Sequence, residues 1–524
     1  MHDAEASARS AALAALLPWL KQQDVFLSPK LRVVQSGAPS SSGHLSQISG
    51  SDCSIHAISA IKQNEVLSVI PKAIVLSKRT ASLSGRPAFQ SFCESVPADP
   101  IYSYASETLI LSTVVLHELL LGVLSRWHVF LESCPTQTEI GLPAFWSDKQ
   151  ARQWLKNTDV QSLIEYQASD DAPLHAFFRI YVIPLVASDS AASPSSIYST
   201  FQHAYSLTSS RSFAVDAYHG HALVPFADLF NHHDFPHVTL QSDDIVCPMC
   251  GSFEECVHDN ESDRTVDAKD LENTQALTRT KFTEKAANSE SNTVEIVCTS
   301  SISEGEEVYN TYGPRLSNAQ LLVNYGFSID ANEYDRVSWF SVPSVLTQSG
   351  LSHSSEVALA RVHRIEETWR ILLPELVSLR PGFDDPFGRV TQDLDDPYTK
   401  GKGVHDLLYI DADGAVSAAL WLLLCVGTLL READRTRLIG SVEISGLTVD
   451  FPAGAVRELT QSRSKITFNP EMRTEALLDA ASNPDTNACV RIALLRNLEE
   501  RNLLRACWHA WATETREQRV QKEV

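Results

Sequence analysis

The stretch "HALVPFADLFNHHDFPHVTL", His221 to Leu240, sets an apolar run from Leu223 to Phe230 directly before the tripeptide Asn231-His232-His233. An apolar run that opens into crowded polar side chains reads as a strand or buried turn feeding a functional loop. That loop could be a metal site, a catalytic dyad, or a binding loop without chemistry of its own. His232, His233 and His237 lack helical i, i+4 placement, since His233 and His237 stand four apart without a helical pattern around them, and no metallohydrolase-type carboxylate motif lies beside them. A catalytic metal is therefore not expected, and surface or binding-loop roles are.

A second cluster lies about eighty residues downstream, in "SEGEEVYNTYGPRLSNAQLLVNYGFSID", Ser303 to Asp330. Glu304-Gly305-Glu306-Glu307 reads as a turn feeding a short strand, Val308 to Thr311. Ser317-Asn318 should cap a helix running through Asn324 and ending at Gly326. Tyr312 then stands just past a strand end. Taken alone, a tyrosine in that setting is more often structural than catalytic.

Composition narrows the function classes. The 524 residues suffice for several domains, each with a buried core, and a hydrophobic content of 44% with 21% charged residues is that of a globular protein. The net charge of −22 argues against a nucleic-acid binder and suits a basic partner. The N-terminus "MHDAEASARSAALAALLPWLKQQ" lacks a basic segment before its apolar stretch and reads as an amphipathic helix, not a secretory signal. "TLILSTVVLHELLLGVL", Thr108 to Leu124, is interrupted by His117-Glu118 and is shorter than the ~20 residues of a membrane span, so a buried helix is expected. The ten cysteines are scattered apart from one cluster, which suits a reducing compartment.

The predicted organisation is α+β. "LRVVQSG" and Ile61 to Ser77 look like hairpin strands separated by a Ser- and Gly-rich surface loop, "APSSSGHLSQISGSD". From about Ala105 to Ser206 the pattern is helical, with an N-cap at Ser147-Asp148 before "KQARQWL". β character returns from Arg211 to Asp330, broken by a polar stretch from Asp259 to about Asn292. Beyond it, segments from Ser352, Ala415 and Ala488 are strongly helical, with Trp154, Trp369 and Trp421 read as core.

In order along the chain, "SRSF" from Ser210, "PFADLFNH" from Pro225, "GEEVYNTYG" and "SNAQLLVNYGF" resemble the SET-domain protein methyltransferases. With "LLPWLKQQDVFLSPKL" and "WHVFLESCPTQTEIGLPAFWSDKQARQWLKNTDV", the chain is similar to the Rubisco lysine methyltransferase-like branch over nearly its whole length. The resemblance implies a β-rich SET domain with an all-α insert, followed by an all-α C-terminal substrate-binding domain. Residues 1–90 would open the SET domain and 91–210 form the helical insert. Residues 211–330 would complete the core, with an insert at about 243–293, and 331–524 form the C-terminal domain.

The cofactor implied is S-adenosylmethionine, with Tyr312 as the catalytic tyrosine. Asn231 and His232 would hold the cofactor's amino-acid end and adenine, with Asp228 in the same loop. Arg211 would reach the carboxylate, and Tyr325 and Phe327 would wall the cofactor and the substrate channel. The implied reaction is methylation of a lysine side chain in a non-histone protein with a basic segment, such as a ribosomal protein, by a monomer in nucleus or cytoplasm, with neither nucleic acid nor membrane as partner. A histidine target, and a SET scaffold that only binds proteins, are the alternatives. The resemblance departs at Ser51 to Ala57, where the family's Gly-x-Gly turn is replaced by Asp52 and Ser54.

One feature lies outside the resemblance. "CPMCGSFEECVHD" carries Cys247, Cys250, Cys256 and His258, four soft ligands suited to tetrahedral zinc in a structural role. Reduced cysteines on a surface loop are the alternative.

Overall fold

The computed structural model describes residues 2–35, 53–103, 105–167, 169, 171–187, 192–242, 246–253, 256, 258, 292–352, 357, 406–436 and 451–512. The Ser- and Gly-rich loop, Asp52, most of the polar stretch after Asp259, and the helix predicted around Trp369 lie outside them. The chain divides into two compact units. One comprises Met1–Gly43, Ser49–Ile140 and Asp171–Pro314, and the other His44–Ile48, Gly141–Asp170 and Arg315–Val524. These units cut the chain differently from the sequence-based boundaries, since Gly141–Asp170, inside the predicted insert, joins the C-terminal helices.

Among the described residues, the first unit contains three small antiparallel sheets. Strands β1 (Phe26–Leu27), β4 (Val66–Pro71), β9 (Thr293–Cys298) and β8 (Val238–Ser242) are neighbours in that order. Strands β2 (Leu31–Gln35) and β3 (Cys53–Ala57) pair in register Val33↔Ile55. Strands β5 (Leu76–Ser77), β7 (Gly220–Leu223) and β6 (Ser212–Asp216) make the third sheet. The predicted hairpin between β2 and the Ile61–Ser77 stretch is thus replaced: β2 takes β3 as partner, while Leu67 and Ile70 of β4 are buried between β1 and β9.

Helix His2–Gln22 buries Leu13, Leu16 and Leu20, one face at helical spacing. The segment Ser106–Leu124 is long and apolar enough to cross a membrane by composition alone. Its helix, Ser106–Leu121, packs on helix Pro194–Arg211, and its buried Glu118 accepts from the Ser82 amide at 2.8 Å and the Ser125 hydroxyl at 2.6 Å. A buried carboxylate satisfied this way belongs to a protein core.

In the second unit the Asp148 carboxylate caps helix Lys149–Leu155 by accepting from the amides of Gln150 and Ala151, as the sequence predicts. Ser317 forms a full capping box with Gln320 on helix Asn318–Tyr325, which stops at Gly326 with φ +82°. Helices Ala418–Thr436, Ala453–Ile466, Thr474–Ser482 and Ala488–Ala512 carry Trp421, Leu459, Leu477 and Trp511 into the interior. A short antiparallel pair, β10 (Arg336–Ser338) with β11 (Tyr409–Asp411), accompanies them.

Candidate active site

The stretch from His221 to Leu240 begins in β7 and ends in β8, so it connects two of the first unit's sheets. Between them the backbone turns sharply at Phe226, a bulky residue at φ +77° whose ring is buried edge-on against Phe230 at 5.6 Å. That conformation costs on the order of 1–3 kcal/mol and persists only where packing enforces it. The turn presents Asp228, whose carboxylate and main-chain carbonyl both accept from Arg211 Nη1, at 3.2 and 2.7 Å. Arg211 ends helix Pro194–Arg211, and its guanidinium keeps partial access to solvent.

Asn231 follows at the end of the apolar run. Its amide nitrogen donates to the Cys53 carbonyl at 3.2 Å and to Glu307 Oε1 at 2.7 Å. Its Oδ1 is an acceptor of the kind an ammonium group takes. The Asn231 carbonyl accepts from the Asn310 amide, and the Asn310 carbonyl from the His233 amide, so the two sequence clusters pair side by side.

The His232 side chain is wholly buried, and Nδ1 accepts from the Tyr312 amide at 3.1 Å. The proton therefore sits on Nε2, which faces Asp234 at 3.5 Å. Burial, with His233 nearby, holds this imidazole down to about 4, so it is neutral at physiological pH. The Tyr312 hydroxyl donates to the Phe230 carbonyl at 3.2 Å, and its ring lies 5.3 Å from that of His232. Burial pushes the Tyr312 phenol up to about 12, with Arg211 opposing and Asp228 and Glu307 reinforcing the shift.

The structure thus brings together Arg211, Asp228, Asn231, His232 and Tyr312. Tyr325 and Phe327 belong to the second unit, where they flank Gly326 with ring centroids 6.4 Å apart. Two readings need correction. Val308 to Thr311 is not a strand, because its backbone serves several partners: Val308 bonds Ile55, Tyr309 bonds the His237 ring, and Asn310 bridges to His232. Glu307, read as a turn residue, is a site residue that accepts from both Asn231 and the Tyr309 hydroxyl. Its position five residues before Tyr312 was the available signal.

Within Ser51 to Ala57, the described part is β3, and its first carbonyl meets Asn231. Ser54, where the sequence resemblance would lead one to expect glycine, is buried and engages His56 Nε2 at 3.0 Å.

Away from this cluster, one ligand atom from each of Cys247, Cys250, Cys256 and His258 lies within 4.8 Å of the others. The Cys247 thiol is drawn down to about 7: desolvation raises it, but the amides of Cys250 and Met249 and the neighbouring thiols outweigh that.

No family model matches the chain. Ribosomal lysine N-methyltransferase 3 of Saccharomyces cerevisiae is 27% identical over 267 residues, 41% of this chain and 47% of that protein. Human N-lysine methyltransferase SETD6 is 24% identical over 340 residues, 60% of this chain and 59% of that protein. The chain thus spans about half the length of the curated relatives it matches. Among solved structures, the SET domain of LSMT bound to lysine and AdoHcy superposes with a TM-score of 0.53 at 15% identity, covering 97% of this chain and 92% of that one. Rubisco LSMT bound to sinefungin and monomethyllysine gives 0.51 at 14% identity, with 97% and 92% covered.

Proposed function

Because this chain carries the SET-domain fold of the Rubisco lysine methyltransferase-like branch, we propose that it is an S-adenosylmethionine-dependent protein-lysine N-methyltransferase. The observation that carries the reading is the closure of the two motifs: Tyr312 is fixed by its amide to His232 and by its hydroxyl to Phe230.

The donor set fits the cofactor. S-adenosylmethionine, when bound, supplies an electrophilic methyl group on a sulfonium. Arg211, aimed by Asp228, offers a cation to the carboxylate, and Asn231 Oδ1 offers an acceptor to the ammonium. His232, neutral and buried, holds the Tyr312 backbone in place. Tyr312 keeps its proton across the working pH range and can exchange its bond to the Phe230 carbonyl for one that orients the incoming amine. Desolvation beside a buried phenol favours the neutral lysine, the form with a lone pair for attack. The lysine ammonium would give up one proton to solvent before attack, and the new N–C bond would form as the sulfonium's C–S bond breaks, the sulfur keeping that electron pair.

The protein substrate we infer presents a basic segment, in keeping with the net charge of −22. The irregular scatter of the ten cysteines suits a reducing compartment, and we propose the nucleus or cytoplasm.

Purified protein with labelled S-adenosylmethionine and a cell lysate should transfer label to a protein band, and acid hydrolysis should recover it as methyllysine. Methylhistidine would reassign the target. Tyr312→Phe is expected to lower turnover about 10²-fold or more with cofactor affinity within about twofold of wild type. Retained turnover would remove Tyr312 from its role.

A further inference from the structure

We infer that Cys247, Cys250, Cys256 and His258 form a structural zinc site that holds the Cys247–Phe253 turn against the sheet of β5, β7 and β6. The site is independent of the methyl-transfer reading.

Three cysteines and a histidine form the donor set that zinc takes in closed, tetrahedral structural sites. Their ligand atoms converge within 4.8 Å of one another, with His258 Nδ1 3.5 Å from Cys256 Sγ and 3.7 Å from Cys247 Sγ. In a filled tetrahedral site, ligand atoms about 2.0–2.3 Å from the metal stand roughly 3.3–3.8 Å apart. The convergence therefore needs little adjustment.

The turn is built for this purpose. The Gly251 amide donates to the Cys247 carbonyl at 2.8 Å, and the Cys247 amide to the Ser252 carbonyl at 2.9 Å. Gly251 has φ +74°, which favours glycine, and a Cβ there would press on the Tyr218 ring at 3.0 Å.

The same turn is docked from below. Arg79 donates from Nη2 to the Pro248 carbonyl at 3.0 Å and from Nε to the Tyr218 carbonyl at 3.2 Å, with its guanidinium 4.8 Å from the Tyr218 ring centroid. Phe253 lies over Lys72 at 5.3 Å, and Lys72 is buried in a 2.7 Å ion pair with Asp216 of β6. Exposed thiols on an idle loop would need none of this. The metal shapes the turn, and Arg79 and Tyr218 receive it.

The test uses the full chain, purified without chelator and dialysed against metal-free buffer. Elemental analysis is expected to give about one zinc per chain. X-ray absorption should show about three sulfurs near 2.3 Å and one nitrogen near 2.0–2.1 Å. Cys250→Ser with Cys256→Ser should lose the metal, while Arg79→Ala should keep it and lower the melting temperature. If the cysteine variant fails to fold, the absorption spectrum of the wild type still decides. A chain that takes up no zinc when refolded with zinc chloride overturns the site, as does oxygen-only coordination. A non-reduced chain that lacks zinc and weighs two hydrogens less would identify a disulfide instead and equally overturn it.

Discussion

At the residue scale, His232 couples the candidate site to stability. Its side chain is fully buried, and its Nδ1 receives the Tyr312 amide, so protonating it removes an acceptor and buries a charge. Its folded-state value is depressed to about 4 from an ordinary 6.5. A depressed value means stability that is complete above pH 6.5 and drains as pH falls towards 4, because the unfolded chain takes the proton first. The loss across that window should reach about 3 kcal/mol. Urea midpoints near pH 7 and pH 4.5 should therefore converge in His232→Gln relative to wild type. An unchanged pH dependence would detach His232 from it.

Asn231, His232 and Tyr312 were legible because each sits in a motif with fixed neighbours. Cys53 and Phe226 were not. Cys53 contributes only a carbonyl, and the positive φ of Phe226 is imposed by packing around its ring.

At the scale of elements, what the sequence revealed was local chemistry. The caps at Asp148 and Ser317 depend on side chains within three residues of the backbone they satisfy, and the stop at Gly326 on a left-handed backbone whose amide donates to the Leu322 carbonyl. Ser317→Ala should cost about 1 kcal/mol of stability and Ser317→Gly a few tenths, read as denaturant midpoints. A Ser317→Ala variant as stable as wild type would show that the hydroxyl contributes nothing. Sheet partners depend on distant chain and were less legible. β2 pairs with β3, β4 with β1 and β9, and the short pair of β10 and β11 joins residues more than seventy apart. The same distance dependence explains Val308–Thr311, which has the composition of a strand and the bonding of a junction.

At the scale of the whole molecule, the second unit is held by charge in addition to apolar surface: Trp154, Leu155 and Val160 share an apolar cluster with Leu477, Ile492 and Leu494. Within the second unit, Arg496 is 1% exposed and donates to Asp335 at 2.5 Å, to Glu499 at 3.2 Å and to Asp159 at 3.3 Å. Asp159 lies in Gly141–Asp170 and Arg496 in the last long helix, so this ion pair joins the same two segments as the apolar cluster. A heptad or cap search cannot find such a link, since it joins residues 337 apart. Arg496→Met would leave carboxylates buried without their cation, and the expected cost is about 3–5 kcal/mol. Arg496→Lys keeps the charge but not the planar fork, so it should lose less. Denaturant unfolding of both variants, followed by tryptophan fluorescence, measures the difference. If Arg496→Met were as stable as wild type, apolar packing alone would hold Gly141–Asp170 in the second unit.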